Sequence, residues 1–547
     1  MVAALFTADG IQTALSNAVG WFSARRSHAR VLKGILLLAG ALYLLTVALF
    51  QTGPINIYGN DALLLLDGGW RFVNGQVPYR DFYLALGPLE YMLTALGMLL
   101  THNSPQAIAV GNALFGMAIG AWGWFLCRRR MPDIPAALIT AWLIITATSP
   151  ASIDVPLSAL SCAMIYNRHG YAILGLILVE CAFVSERSQF WGGVSSGAAL
   201  MLLAFLKLNF FAAGFLVLLA SVPLHRKEMQ RALGVLTGSA GIIMAFLLYL
   251  RSAMAEFIRD MNIAIHARAG QISLHGILKD SFKDINIVTV VLLSILTVIL
   301  IRKTDGWLRF AVRIIALCAI AIVGGYFISA TDAIEKGCHL APLWELILIA
   351  LLATAYPAAK EKFAIAAIIT LSMASVYISF IPDLVSYKYL LRYQKPSLRA
   401  AAAHISGMEQ LRFYEMEYPD MFGQSSFENG PLYASCINDG RQLLLQNSAS
   451  QESVLTLGFH NPFPYVLRRK PARGGSVWLL LGNNISTASL LSETQVFGNA
   501  DLIMLPSYPS GHRDTDAWLQ KTYHAYLENH FAFVAKSQWW SLYRRKN

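Results

Sequence analysis

The stretch YGNDALLLLDGGW, Tyr58 to Trp70, sets two carboxylates, Asp61 and Asp67, around five apolar residues. It follows directly on a greasy run. A carboxylate near the end of a membrane helix costs roughly a few kcal/mol if it points into lipid, so it faces protein or a water-filled cavity. Such an acid caps a helix, a place that Asn and Asp favour, or it exchanges a proton with something brought to it. Asp61 follows Asn60 and opens ALLLLDGG, so both uses are open to it, whereas Asp67, a turn residue before Gly68-Gly69, reads as structural. Further ionisable residues stand beside apolar runs: Arg80 in VPYRDFY, Asp154 in TSPASIDVP, Arg168 in YNRHG, Lys207 in AFLKLNF and His339 in EKGCHLAPLW. Each has a plain alternative. Arg80 can pair with Asp81, Asp154 can start a helix at Val155-Pro156, Lys207 can snorkel to an interface, and His339 can cap the run after it.

The elements that must position these residues are membrane spans. Of 547 residues 56% are hydrophobic and only 14% charged, with a mean hydropathy of +0.50, where soluble domains carry about a quarter charged. Apolar runs of span length cover 31 to 50, 106 to 127, 134 to 149, 169 to 185, 191 to 206, 208 to 224, 232 to 250, 286 to 301, 310 to 329, 341 to 356 and 363 to 381, eleven in all. With a cytoplasmic N-terminus, the clusters Arg25/Arg26/Arg30/Lys33, Arg128/Arg129/Arg130, Arg226/Lys227/Arg231, Arg302/Lys303/Arg309 and Lys360/Lys362 all fall on the inner side, as orientation by Lys and Arg requires. The loops at 51 to 105, 251 to 285 and 330 to 340, and everything after 382, then face outward.

Parity decides two ambiguous runs. Counting LALGPLEYMLTALGMLLT, 84 to 101, as a span would put the triple arginine outside, so it is expected to lie in the outer interface with Glu90, Tyr91 and His102 wet. By the same argument the chain from 155 to about Arg168 belongs at the outer surface. The charged residues of 251 to 285 read as a solvated loop. MVAALFTADG lacks the basic-then-apolar order and cleavage site of a signal peptide, so the run at 31 to 50 is expected to remain as an anchor.

The formal net charge of +11 does not point to nucleic acid, because the basic residues are dispersed between spans. Cys127, Cys162, Cys181 and Cys318 lie in or beside apolar runs, and no CxxC or Cys/His ligand spacing occurs. The sequence therefore requires no cofactor, and a divalent metal such as Mg or Mn is not indicated. After Asp383 turn signals alternate with the strand-length runs SVLTLGF, SVWLLL, ADLIMLP and FAFVAKSQWWSLY, and helix-sized segments such as TDAWLQKTYHAYLENH lie between them. This suggests a soluble α/β domain. The expected organisation is a cytoplasmic segment 1–30, a transmembrane module 31–381 and an outward-facing, extracytoplasmic domain 382–547.

Four features in order resemble the GT-C superfamily of integral-membrane glycosyltransferases, in the branch of the protein O-mannosyltransferases and the lipid A aminoarabinose transferase. They are Asn60-Asp61 early in the first outer loop, the Pro-Leu of GPLEY, Asp154 after the TSP that ends a span, and Lys207 at the outer turn of a helical hairpin. The likeness runs over about residues 31 to 360. Many relatives have an acidic pair at the position of Asn60-Asp61 and a double proline after a basic residue; here Gly87-Pro88 stands in its place, with Arg80 further upstream.

The resemblance implies a polytopic α-helical, GT-C-like protein of the plasma (inner) membrane, with interfacial helices in its first outer loop. It implies transfer of a sugar from a polyprenyl-phosphate carrier to a lipid, glycan or protein acceptor on the outer face. Asp61 would be the general base and Asp154 would position the acceptor or Lys207. Arg80 and Lys207, with His339 and Arg168 behind them, would hold the carrier phosphate. Two other plans remain open, a lipid-linked polysaccharide polymerase or ligase and a flippase or transporter of polyprenyl-linked sugars. The first would favour a large late outer loop, and the second charges along a membrane path.

Overall fold

The computed structural model describes residues 26–150, 160–183, 189–221, 228–268, 285–301, 307–330, 340–355, 386, 388–415, 429–507 and 513–546. The expected span at 363 to 381 lies outside the described residues. Over the other apolar runs stand helices α1 (Arg26–Phe50), α4 (Ala107–Cys127), α5 (Asp133–Thr148), α6 (Ile165–Ala182), α7 (Gln189–Ala204), α8 (Leu208–Ser221), α9 (Glu228–Leu250), α11 (Ile285–Ile301), α12 (Trp307–Ala330) and α13 (Ala341–Ala355). Among the described residues three helical stretches, Ala107–Cys127, Met229–Ala267 and Ala311–Ile328, are long and apolar enough to cross a membrane.

Two expectations about loops are corrected. The stretch after residue 250 is not a solvated loop as far as Ala267: a 3₁₀ turn, Arg251–Ala253, leads from α9 into α10 (Met254–Ala267). The left-handed backbone of Arg251 (φ 51°) breaks the run between the two helices, and Met261 of α10 is buried in the cluster that includes the first loop. The surface placement of 155 to 168 also fails at its end, because α6 starts at Ile165 and takes Arg168 into its buried first turn.

In the first loop, β1 (Pro54–Ile55) precedes α2 (Gly59–Val73) and α3 (Leu89–Leu100). The segment after 388 contains α14 (Pro396–Ala401), β2 (Ala403–His404), β3 (Arg412–Phe413), α15 (Gly430–Asn447), β4 (Val454–Thr456), α16 (Phe463–Val466), α17 (Glu493–Phe497), β5 (Leu502–Pro506), α18 (Arg513–His530), β6 (Phe531–Lys536) and β7 (Trp540–Arg545). Its sheet runs β4-β5-β7-β6, with β4 and β5 parallel and the other pairs antiparallel. SVWLLL contributes only isolated bridges there, Tyr83 to Ser476 and His460 to Trp478 among them.

Residues on the two sides of position 382 share one core. β1 pairs in parallel with β3, Pro54 opposite Arg412, in a three-stranded sheet completed by β2. Leu63, Leu66, Tyr91 and Met98 of the first loop pack in one cluster with Phe413, Tyr433, Ile437, Phe463 and Trp540. Polar ties run the same way. The Trp70 indole donates to the Arg469 carbonyl (2.8 Å), the Tyr83 hydroxyl to the Asn484 carbonyl (2.6 Å) and the Tyr465 hydroxyl to the Asn103 carbonyl (2.8 Å). The first loop is therefore folded against the C-terminal segment.

Candidate active site

Asp61 and Asp67 stand on the same helix and meet opposite surroundings. Helix α2 opens after Tyr58, whose backbone is left-handed (φ 51°, ψ 52°) and whose side chain makes no capping hydrogen bond. Asp61 is therefore not the cap but the third helical residue. Its carboxyl is half-buried and accepts no hydrogen bond among the described residues. Burial pushes its pKa up to about 7, although a helix N-terminus favours the charged form. Near neutral pH Asp61 is thus divided between acid and base forms.

Asp67 is buried, and the Arg71 Nε donates to its Oδ2 at 2.9 Å across one helical turn. Arg71 also donates to Gln76 (3.1 Å) and to the carbonyls of Ala472 and Gly474 (3.4 and 3.1 Å), and lies over the Phe82 ring. Asn461 approaches the second Asp67 oxygen at 3.5 Å. This acid is a rivet between the first loop and the C-terminal segment, in keeping with the structural reading of its position before Gly68-Gly69.

Around Asp61 three groups respond to its charge. Burial first, and then Asp61 among the nearby charges, raises the pKa of Cys162 (to about 12), of Tyr91 and of Tyr433. Cys162 also feels Arg168, which opposes the shift, and Glu90, which adds to it. Asp61, Glu90 and Arg168 therefore all act electrostatically on one buried thiol. Beside Asp61, the Asn60 Oδ1 is buried and takes no hydrogen bond among the described residues.

Glu90 and Tyr91 were expected to be wet. They are 3% and 1% exposed, because α3 is packed against α2 and α4 rather than lying free, and of the three only His102 is exposed. Glu90 ends a buried polar chain. The Gln51 amide nitrogen donates to the Thr148 carbonyl (2.9 Å), so its oxygen accepts from Asn112 Nδ2 (2.7 Å), and Asn112 Oδ1 faces His169 Nε2 (2.8 Å). His169 Nε2 must then carry a proton. Its Nδ1 lies 2.7 Å from Glu90 Oε2, a contact that requires one further proton between them.

Lys207 and Arg168 come to the same end of the helices. Gly87 lies so close to the Phe205 carbonyl that a Cβ would collide with it, and the Gly87 and Leu89 N–H groups donate to the Leu206 and Phe205 carbonyls (3.0 and 3.1 Å). This seats the start of α3 on the turn that carries Lys207. The Lys207 Nζ donates to Asn167 Oδ1 at 2.9 Å and sits over the Tyr166 ring. Arg168, next in the chain, is 1% exposed. Lys207 and the first turn of α3 thus lie together at one end of the helices, with Arg168 following Asn167 in the chain.

Arg80 does not join them. Its guanidinium is 39% exposed and paired with Asp81 at 2.7 Å, and no described contact links it to Asp61, Lys207 or Arg168. Asp154 and His339 lie outside the described residues. Among the described residues no three His, Cys, Asp or Glu side chains gather as metal ligands.

The sequence reading passed over His169, Tyr433, His460 and Trp478. His169 had a signal, since it follows Arg168 in YNRHG. The other three had none, because they approach Asp61 only through contacts spanning several hundred residues.

No family model matches the chain, and no curated protein matches it. Among solved structures it is similar to the crystal structure of ArnT from Cupriavidus metallidurans in the apo state, at 14% identity and a TM-score of 0.42 over 93% of this chain and 97% of that one. It is also similar to ArnT from Cupriavidus metallidurans bound to undecaprenyl phosphate, at 13% identity and a TM-score of 0.37 over the same shares. Superposition at this level assigns no residue of the site, whose reading rests on its own geometry.

Proposed function

We propose that the chain is a membrane glycosyltransferase that moves a sugar from a polyprenyl-phosphate carrier to a hydroxyl or amine acceptor at the outer face of the membrane. The observation that carries this reading is the Asp61 carboxyl, unpartnered among the described residues and half-ionised near neutrality. A general base works best with a pKa near the operating pH. Asp61 takes the proton of the acceptor as the acceptor's oxygen or nitrogen bonds to the anomeric carbon. The bond from that carbon to the phosphate oxygen breaks, and its electron pair stays on the phosphate. Lys207, Arg168 and the first turn of α3 stabilise the charge that grows there. Asp154, as a positioning acid, and His339, as a further phosphate contact, remain proposals of the family likeness. Arg80, turned to Asp81, is left out of the proposed phosphate site.

The experiment uses the purified protein in lipid nanodiscs with a panel of undecaprenyl-phosphate hexoses and pentoses and a membrane extract as acceptor. Release of undecaprenyl phosphate from at least one donor is expected. A protein that consumes none of them contradicts the proposal. In the same preparation Lys207→Ala should bind undecaprenyl phosphate about ten- to a hundredfold more weakly, the loss expected for a hydrogen bond to a charged group. Arg80→Ala should bind as the wild type does. Equal affinity in Lys207→Ala would remove Lys207 from the phosphate site.

A further inference from the structure

The C-terminal segment reaches the start of α2. Tyr433, on α15, is fully buried with its ring against Phe413 and Gly59, so that a Cβ at Gly59 would stand 2.8 Å from Tyr433 Cδ1. Gly59 is two residues before Asp61. The Tyr433 hydroxyl lies 2.7 Å from His460 Nε2, and His460 is itself 3% exposed. His460 and Trp478 are partners in one antiparallel bridge, with the Leu479 N–H donating to the Phe459 carbonyl at 2.8 Å. This backbone pairing holds the partner of Tyr433 in place. It is fixed from behind by Asp516, which accepts from the Phe459 N–H at 2.7 Å.

We infer that His460 is a positioning residue of the Asp61 site, acting through Tyr433, so that the C-terminal segment forms a wall of the active site and is not a separate recognition module. This rests on the reading of Asp61 as the base. Tyr91 from α3, Tyr433 from α15 and the Cys162 thiol feel the charge of Asp61, Glu90 and Arg168 also act on Cys162, and His460 bonds to Tyr433. The two hydroxyls are the neutral polar groups among these. Held by His460, the Tyr433 dipole favours the carboxylate in surroundings that otherwise oppose it. If His460 donates its Nε2 proton to the Tyr433 oxygen, the tyrosine proton is free to turn toward Asp61 or the acceptor.

The test compares Tyr433→Phe, His460→Phe, their double variant and His460→Gln in nanodiscs, with undecaprenyl-phosphate sugars as donors. Tyr433→Phe and His460→Phe should each lower kcat about tenfold, and the double variant no further, as expected of two residues in one network. The acid limb of the pH profile should move to higher pH in each, with undecaprenyl phosphate affinity unchanged. His460→Gln, which keeps an N–H donor, should restore most of the rate. Tyr523→Phe removes another buried tyrosine hydrogen bond of this segment, the one to the Leu491 carbonyl, and should lower the melting temperature without moving the acid limb. If His460→Phe does not fold, Tyr433→Phe, which loses one oxygen and keeps its ring packing, gives the same readout. Wild-type kcat and an unmoved acid limb in Tyr433→Phe overturn the inference, as does a double variant whose loss is the product of the single losses. A wild-type protein that transfers from no donor overturns the underlying reading instead.

Discussion

Asp61→Asn protein is expected to fold, to bind undecaprenyl phosphate with wild-type affinity and to transfer sugar about 10²- to 10⁴-fold more slowly. The substitution keeps volume and polarity but leaves no group that accepts a proton at this point. A structural role for Asp61 predicts something different, because Tyr58 precedes α2 without a side-chain cap and the Asp61 carboxyl holds no partner among the described residues. There is little packing for the amide to disturb. Relieved of a buried charge, the variant should be at least as stable as the wild type. Steady-state transfer, thermal unfolding and carrier binding measured on one preparation separate these outcomes. A rate close to wild type would show that the base is elsewhere.

Arg71→Met is expected to act through stability instead. It leaves Asp67 as an unpaired charge in a fully buried position and strips four further contacts, to Gln76, the Ala472 and Gly474 carbonyls and the Phe82 ring. Breaking a buried ion pair from one side costs about 3–5 kcal/mol. Because these contacts join the first loop to the C-terminal segment, the two should loosen together, and unfolding in detergent should begin at markedly lower temperature or denaturant. Asp67→Asn should show the same fault from the other side, with Arg71 left uncompensated. The double variant Asp67→Leu/Arg71→Met should recover much of the loss, since an apolar pair of similar volume can replace a buried ion pair at little cost. Melting curves of the three variants check this, and independent losses in the double variant would contradict it.

What could be seen in the sequence follows the physics of each element. The apolar runs are visible because a bilayer demands some 20 apolar residues in succession, and α4, α9 and α12 stand where such runs lie. The acid of interest was visible as a carboxylate in an apolar neighbourhood, and only surroundings could separate Asp61 from Asp67. Arg71, four residues after Asp67, was the local hint. Glu90 and Tyr91 were misplaced because hydropathy gives the depth of a helix and not its neighbours, here α2 and α4. Helix α10 is hidden for a related reason: Arg251, Glu256, Arg259 and Asp260 mark the end of the span, not the end of helical structure. Tyr433, His460 and Trp478 could not be found by any local pattern, because their relation to Asp61 exists only once β1 has paired with β3.

The account stands most directly on the pH dependence of kcat/KM for release of undecaprenyl phosphate. A base is active when ionised, and burial holds the Asp61 pKa at about 7, so transfer is present above that pH and lost as pH falls through it. The expected profile rises tenfold per unit at low pH and levels near pH 7, with a single-proton slope that disappears in Asp61→Asn. A rate independent of pH from about 5 to 8, or the same acid limb surviving in Asp61→Asn, would contradict the assignment of Asp61 as the base.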